Sequence, residues 1–217
     1  MSVPPCGFLE STNRANRSTA EYCCTTIFSC ALIVIAIFFA GCETRYDTPQ
    51  QAFMAAVLHR DVDKVRVLLT NEPTVDVNWQ SESRITGPAL HTAAAFGPSE
   101  MVRLLLDYGA DPNLRDAHGF SALYFASKEG STEIVRMLIE AGADLEAKEY
   151  DYGATALMVA ARWKRLGVVD MLLKAGANPM AVTKNGLTAR ELLGKDKDER
   201  VDVLLRAYED RWKAAPQ

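Results

Sequence analysis

Residues 121–144 read SALYFASKEGSTEIVRMLIEAGAD. Two helices fit this stretch. The first is short, with Leu123 and Ala126 on one face and Ser121 in front as an N-cap. The second places Ile134, Val135, Leu138 and Ile139 at helical spacing, and Gly142 follows as a left-handed C′ residue. The pattern recurs on both sides. Gly109-Ala110-Asp111, Gly142-Ala143-Asp144 and Gly176-Ala177-Asn178 stand 33 and 34 residues apart. Ala89-Leu90, Ala122-Leu123 and Ala156-Leu157 keep the same step, as do Leu105-Leu106, Leu138-Ile139 and Leu172-Leu173. Three independent markers on one period identify a repeat. Alanines in the first helix of each unit (Ala93, Ala94; Ala126; Ala160, Ala161) let neighbouring helices approach closely. No unit can bury its apolar face alone, so stability must come from stacking.

Pro88-Ala89-Leu90-His91, Ser121-Ala122-Leu123-Tyr124 and Thr155-Ala156-Leu157-Met158 resemble the Thr-Pro-Leu-His signature of the ankyrin repeat with decreasing fidelity, and Gly97 and Gly130 match its inter-helix glycine. The resemblance covers about residues 50–210. It implies an all-α ankyrin-repeat solenoid of stacked helix pairs with hairpin loops over 50–215: an N-terminal cap at 50–80, repeats at 82–115, 116–149 and 150–182, and a C-terminal cap at 183–215. In the first cap, Ala55, Ala56, Val65, Leu68 and Leu69 trace a helix pair, and Thr74-Val75-Asp76-Val77-Asn78 resembles the repeat's Gly-Ala-Asp-Val-Asn tail. In the last, Thr188 is an N-cap candidate for a first helix, and Val201, Leu204 and Leu205 supply the second. The resemblance also implies that His91 hydrogen-bonds across the turn. The third repeat departs most from the pattern. Its hairpin is one residue longer, and Lys164 replaces the inter-helix glycine, where a left-handed non-glycine residue costs about 1 kcal/mol.

The N-terminal segment carries a different signal. All five cysteines (Cys6, Cys23, Cys24, Cys30 and Cys42) precede residue 43, which excludes a disulfide scaffold or a cysteine zinc site in the repeats. Ile27 to Ala40 is apolar except for Ser29, a length that fits a signal-peptide core rather than a spanning helix. It ends in Phe39-Ala40-Gly41-Cys42, which resembles the bacterial lipoprotein lipobox. That resemblance implies a signal peptide over 1–41, lipid on Cys42, and a short tether over 42–49. Seven residues, Glu43 to Pro49, span at most about 25 Å. The alternative is an uncleaved anchor, since Tyr22 to Cys42 gives 21 uncharged residues. Either way the chain is expected on a bacterial membrane facing the periplasm, and Glu43 rather than Asp after the cysteine favours the outer over the inner membrane.

The net charge of −4 gives no basis for nucleic-acid binding. An enzyme is not expected: His59, His91 and His118 fall in different units, and neither a phosphate-cradling glycine loop nor a Gly-x-Ser-x-Gly element is present. No metal or cofactor is expected. The ankyrin resemblance instead implies a partner protein. The pattern leaves six positions free per repeat, and five of these 18 are aromatic (Phe96, Tyr108, Phe120, Tyr152 and Trp163), where the chain's 8% aromatic content predicts one or two. Aromatic residues and arginine dominate interface energetics. The expected partner-binding set is Arg84, Ile85, Phe96, Tyr108, His118, Phe120, Tyr152, Arg162 and Trp163. The expected function is a monomeric, membrane-tethered adaptor. Two narrower versions are an immunity lipoprotein that neutralises a secreted toxin or effector such as a phospholipase, and a support factor for a periplasmic enzyme or envelope complex. Radiolabelled palmitate is expected to label the chain and to be lost in Cys42→Ala; labelling that survives the substitution rejects the lipidation site.

Overall fold

The computed structural model describes residues 48–80, 87–194 and 198–214, which belong to one compact unit, Tyr46–Gln217. Cys42 and the rest of residues 1–47 lie outside the described residues, as do Arg84 and Ile85. The described helices are α1 (Pro49–Leu58), α2 (Val62–Asn71), α3 (Ala89–Phe96), α4 (Ser99–Asp107), α5 (Ala122–Glu129), α6 (Thr132–Glu140), α7 (Ala156–Arg162), α8 (Leu166–Lys174) and α9 (Glu199–Ala214), with one 3-10 turn at Glu191–Leu193. Among the described residues there is no strand, and no helix is long and apolar enough to cross a membrane.

The helices form two layers. α1, α3, α5 and α7 stack on one another as an inner row, and α2, α4, α6 and α8 as an outer row. The inner row is built on alanine. Ala89, Ala93, Ala122, Ala126, Ala156 and Ala160 are at most 3% exposed, which leaves no room for a larger side chain between neighbours. Leu90, Leu123 and Leu157 from the inner row meet Met101, Leu105, Leu138 and Leu172 from the outer row in one continuous core. Each fully buried leucine contributes about 1.5–3 kcal/mol.

Local chemistry starts and stops these helices. Ser121 Oγ accepts the Tyr124 N–H at 3.2 Å. Thr155 Oγ1 accepts the Met158 N–H, and the Thr155 N–H in turn donates to Met158 Sδ at 3.4 Å, a capping box closed by sulfur. At the other end of α4, Gly109 has φ +83°, its N–H donates to Leu106 O, and the Ala110 N–H donates to Leu105 O at 2.9 Å. These paired bonds satisfy carbonyls that would otherwise be orphaned. Gly97 differs from Gly130. Its φ is −81°, because Pro98 disfavours helical backbone in the residue before it. Glycine is required there for space, since a Cβ would lie 2.8 Å from Ala93 O.

The final unit departs from the expected helix pair. Thr188 does not cap an α-helix. It closes a reciprocal box with Glu191, whose carboxylate accepts both the Thr188 N–H and its hydroxyl, and only a 3-10 turn follows. Gly194 ends that turn three residues after Glu191, too soon to nucleate a helix. α9, by contrast, runs 16 residues and packs on α8. It brings Asp202 and Glu209 into buried positions, where Arg190 donates to them at 2.7 and 3.4 Å and Arg206 reaches Asp202 at 3.2 Å. Buried carboxylates persist only when paired in this way. In the inner row, Ala126→Leu is expected to lower stability by about 1–3 kcal/mol in urea denaturation, while Ala207→Leu on the exposed side of α9 leaves it unchanged.

Candidate functional site

The hairpins that join successive units are organised from one register position. Asp116 Oδ1 accepts the N–H groups of His118 and Phe120, both at 2.9 Å. One repeat later Glu149 stands in that place, and its carboxylate accepts from Asp151, Tyr152 and Ala154 at 2.6–2.9 Å. The extra methylene of glutamate spans the extra residue of this hairpin. Thr183 closes the next one by accepting the Leu187 N–H at 3.1 Å. Neighbouring hairpins are tied together: the Tyr150 N–H donates to His118 O at 2.9 Å, and the Lys184 N–H donates to Tyr152 O at 2.8 Å. Arg115 donates to Lys148 O, Lys148 to Val182 O, and the Lys184 ammonium to Tyr150 O. The hairpins therefore form a continuous, backbone-bonded shelf.

Aromatic rings occupy the junction of shelf and inner helices. Phe120 lies 4.5 Å from Tyr124, 5.6 Å from Phe125 and 6.2 Å from His118, by ring centroids. His91 meets Phe125 edge-on at 5.8 Å and donates from Nε2 to Phe120 O at 2.9 Å. The signature histidine thus reaches the hairpin of the following unit, 29 residues on. Burial lowers its pKa, which favours the neutral ring. Burial first, and the Glu149 carboxylate second, push the Tyr124 phenol up to about 12, against an opposing effect of Arg162. Outside this cluster, Tyr150 and Tyr152 stand 54% and 67% exposed on the hairpin that Glu149 organises. The Tyr150 ring lies over Gly119, where a Cβ would come within 2.7 Å of it.

A second group gathers at the C-terminal ends of α5 and α7. Lys128 Nζ sits 5.5 Å from the Trp163 ring. Arg165 donates from Nε to Lys128 O at 2.9 Å, so this cation serves the carbonyl end of α5. Lys164 has φ +57° and occupies the place that Gly130 fills at φ +88°. The bonds of the Lys164 and Arg165 N–H groups to Ala161 O and Ala160 O, both at 2.9 Å, hold it in that left-handed state.

Of the expected set, His118 and Phe120 share the second hairpin, Tyr152 stands on the third, and Arg162 and Trp163 lie at the end of α7, where Trp163 meets Lys128 rather than the Phe120 cluster. Phe96 ends α3 and shares the register of Trp163. Tyr108 stands apart: it follows α4 in the outer row, where its hydroxyl pairs with that of Thr70 at 3.0 Å. Arg84 and Ile85 lie outside the described residues.

The family model described as ankyrin repeats in three copies matches residues 28–116 and again residues 90–183. This chain belongs to the ankyrin repeat family. Among similar ankyrin proteins, the Notch-regulated ankyrin repeat-containing protein A of Danio rerio is 35% identical over 76 residues, 35% of this chain and 68% of that protein. A putative ankyrin repeat protein of Acanthamoeba polyphaga mimivirus is 30% identical over 109 residues, 46% of this chain and 65% of that protein. Palmitoyltransferase AKR1 of Lachancea kluyveri is 32% identical over 136 residues, 61% of this chain, but the chain spans only 18% of that protein's length. Ankyrin repeats are in general non-enzymatic, and those of this chain support a protein-binding module.

Tyr124 and Phe125, beside Phe120, and Tyr150, over Gly119, lie outside the six free positions of each repeat. Tyr124 was open to recognition, because it holds the His91 register. Tyr150 stands in the longer hairpin that the sequence already marks as irregular, and the hairpin-to-hairpin bond places it over Gly119. Replacing Lys164 by glycine is expected to raise stability by about 0.5–1 kcal/mol in urea denaturation, because relief of the left-handed backbone outweighs the added freedom of the unfolded chain.

Proposed function

We propose that this chain is a non-enzymatic adaptor, tethered through lipid on Cys42 to a bacterial envelope membrane, that holds one partner protein against its hairpin and inner-helix face. One observation carries the binding reading. Tyr150 and Tyr152 are largely exposed, yet they stand on one hairpin held by Glu149 and by bonds to both neighbouring hairpins. Exposed aromatic rings on a rigid support bind with little ordering cost. Phe120, His118 and Tyr124 extend the same surface inward. The envelope reading rests on the apolar run ending in Ala40-Gly41-Cys42, and Glu43 favours the periplasmic side of the outer membrane over the inner one. A toxin to be neutralised and a resident envelope enzyme are two forms of the same partner.

The test is affinity purification from envelope extracts with wild-type chain and with the double variant Phe120→Ala, Tyr152→Ala. One protein is expected to co-purify with the wild type and to fall about tenfold or more with the variant, each ring contributing about 1 kcal/mol or more. A resident partner appears in unchallenged cells, whereas a toxin appears only when it is supplied. The binding reading fails if every co-purifying protein is retained by the variant. The tether reading fails separately if the chain fractionates away from membranes.

A further inference from the structure

The inner helices of successive units end in one register. It holds Leu58, His59 and Arg60 after α1; Ala95, Phe96 and Gly97 after α3; Lys128, Glu129 and Gly130 after α5; and Arg162, Trp163 and Lys164 after α7. Arg60, Lys128, Arg162 and Lys164 make this row basic, with Glu129 as its carboxylate, in a chain whose net charge is −4. Several cations elsewhere are engaged by carboxylates or, like Arg115, Lys148 and Lys184, by backbone carbonyls. Arg66, Arg103, Arg136 and Arg190 pair with carboxylates at 2.7–3.9 Å. Arg60, Lys128 and Arg162 form no ion pair among the described residues.

Backbone strain points to the same row. Among the described residues, Arg60 at φ +60° and Lys164 at φ +57° are the non-glycine residues with positive φ, and both are basic. Each stands where glycine avoids a cost of about 1 kcal/mol, as Gly130 does. Service to a helix end does not require them. Arg165 already serves α5, and α3 ends without a cation. Strain kept at two equivalent positions, with a positive charge each time, is the mark of a surface used for something. Trp163 and Phe96 stand in the row at 46% and 56% exposure.

Building on the protein-binding reading above, we infer that this row receives an acidic segment of the partner, with carboxylates on Arg162, Lys128 and Arg60 and an apolar side chain against Trp163. A guanidinium takes a carboxylate through two parallel hydrogen bonds, and a tryptophan beside it supplies desolvated area. Cations that form no ion pair have none to lose when the segment arrives. The attraction also steers encounter, so the association rate should fall with salt.

The test pans a random peptide display library against the full-length chain purified in detergent. The expected winners carry clustered Asp and Glu with a Trp, Phe or Leu. Their binding should fall about tenfold or more in the double variant Lys128→Glu, Arg162→Glu, and fall by less in Lys128→Gln, Arg162→Gln, with circular dichroism confirming that both fold. It should also weaken steeply between about 50 and about 300 mM salt. Uncharged or basic winners overturn the inference, as do acidic winners indifferent to the charge reversal, or no winners at all. Winners that bind both charge variants equally but lose binding in Phe120→Ala, Tyr152→Ala leave the protein-binding reading standing while rejecting the acidic segment. Sedimentation with phosphatidylglycerol vesicles that is lost on charge reversal, without acidic winners, overturns it in favour of a lipid headgroup.

Discussion

Every helix of the inner and outer rows is 7–10 residues long. Isolated helices shorter than about 12–15 residues are marginal in water, so none of these would persist alone. What holds them is contact between alanine faces, where Ala93, Ala126 and Ala160 let inner helices touch along their length. That contact sets the spacing of the units. The outer helices and the hairpins follow from it, because both are attached to an inner helix at one end.

Polar side chains then fix the register that apolar contact leaves free. Asn78 accepts the Asp111 N–H and donates to Gly109 O, and Asn113 makes the same pair of bonds with Asp144 and Gly142. Glu146 continues the series by accepting the Asn178 N–H at 2.7 Å. Asp116, Glu149 and Thr183 do equivalent work inside the hairpins. Residue identity changes along each series while the bond geometry persists. The consequence for function is rigidity: aromatic side chains on the hairpins project from backbone that these bonds hold in place.

The fold was legible because its markers are short-range and periodic. Leu123 with Ala126, Ile134 with Leu138, and Gly142 after them report a helix pair without reference to any other part of the chain. The last unit was misread for the opposite reason. Thr188 and Leu192 look like the start of a helix, and only Gly194 and the packing of α9 on α8 make the segment a turn. The candidate surface was legible in part. Phe120, Tyr152, Trp163 and Tyr108 were all picked out by position, and the structure sets Tyr108 in the outer row, its hydroxyl paired with that of Thr70.

Sequence by itself determined the architecture: the period, the two helices per unit, the glycine stops and the excess of aromatic residues at variable positions. All of these depend on spacing along the chain, which the sequence contains in full. Tertiary structure decided which of those residues share a surface. It joined Tyr150 to Gly119, set Lys128 on Trp163, carried His91 to Phe120 and aligned Arg60 with Lys164 across the stack. Those relations depend on how one unit lies on the next, and the stacking of inner helices is a contact between residues about a repeat apart.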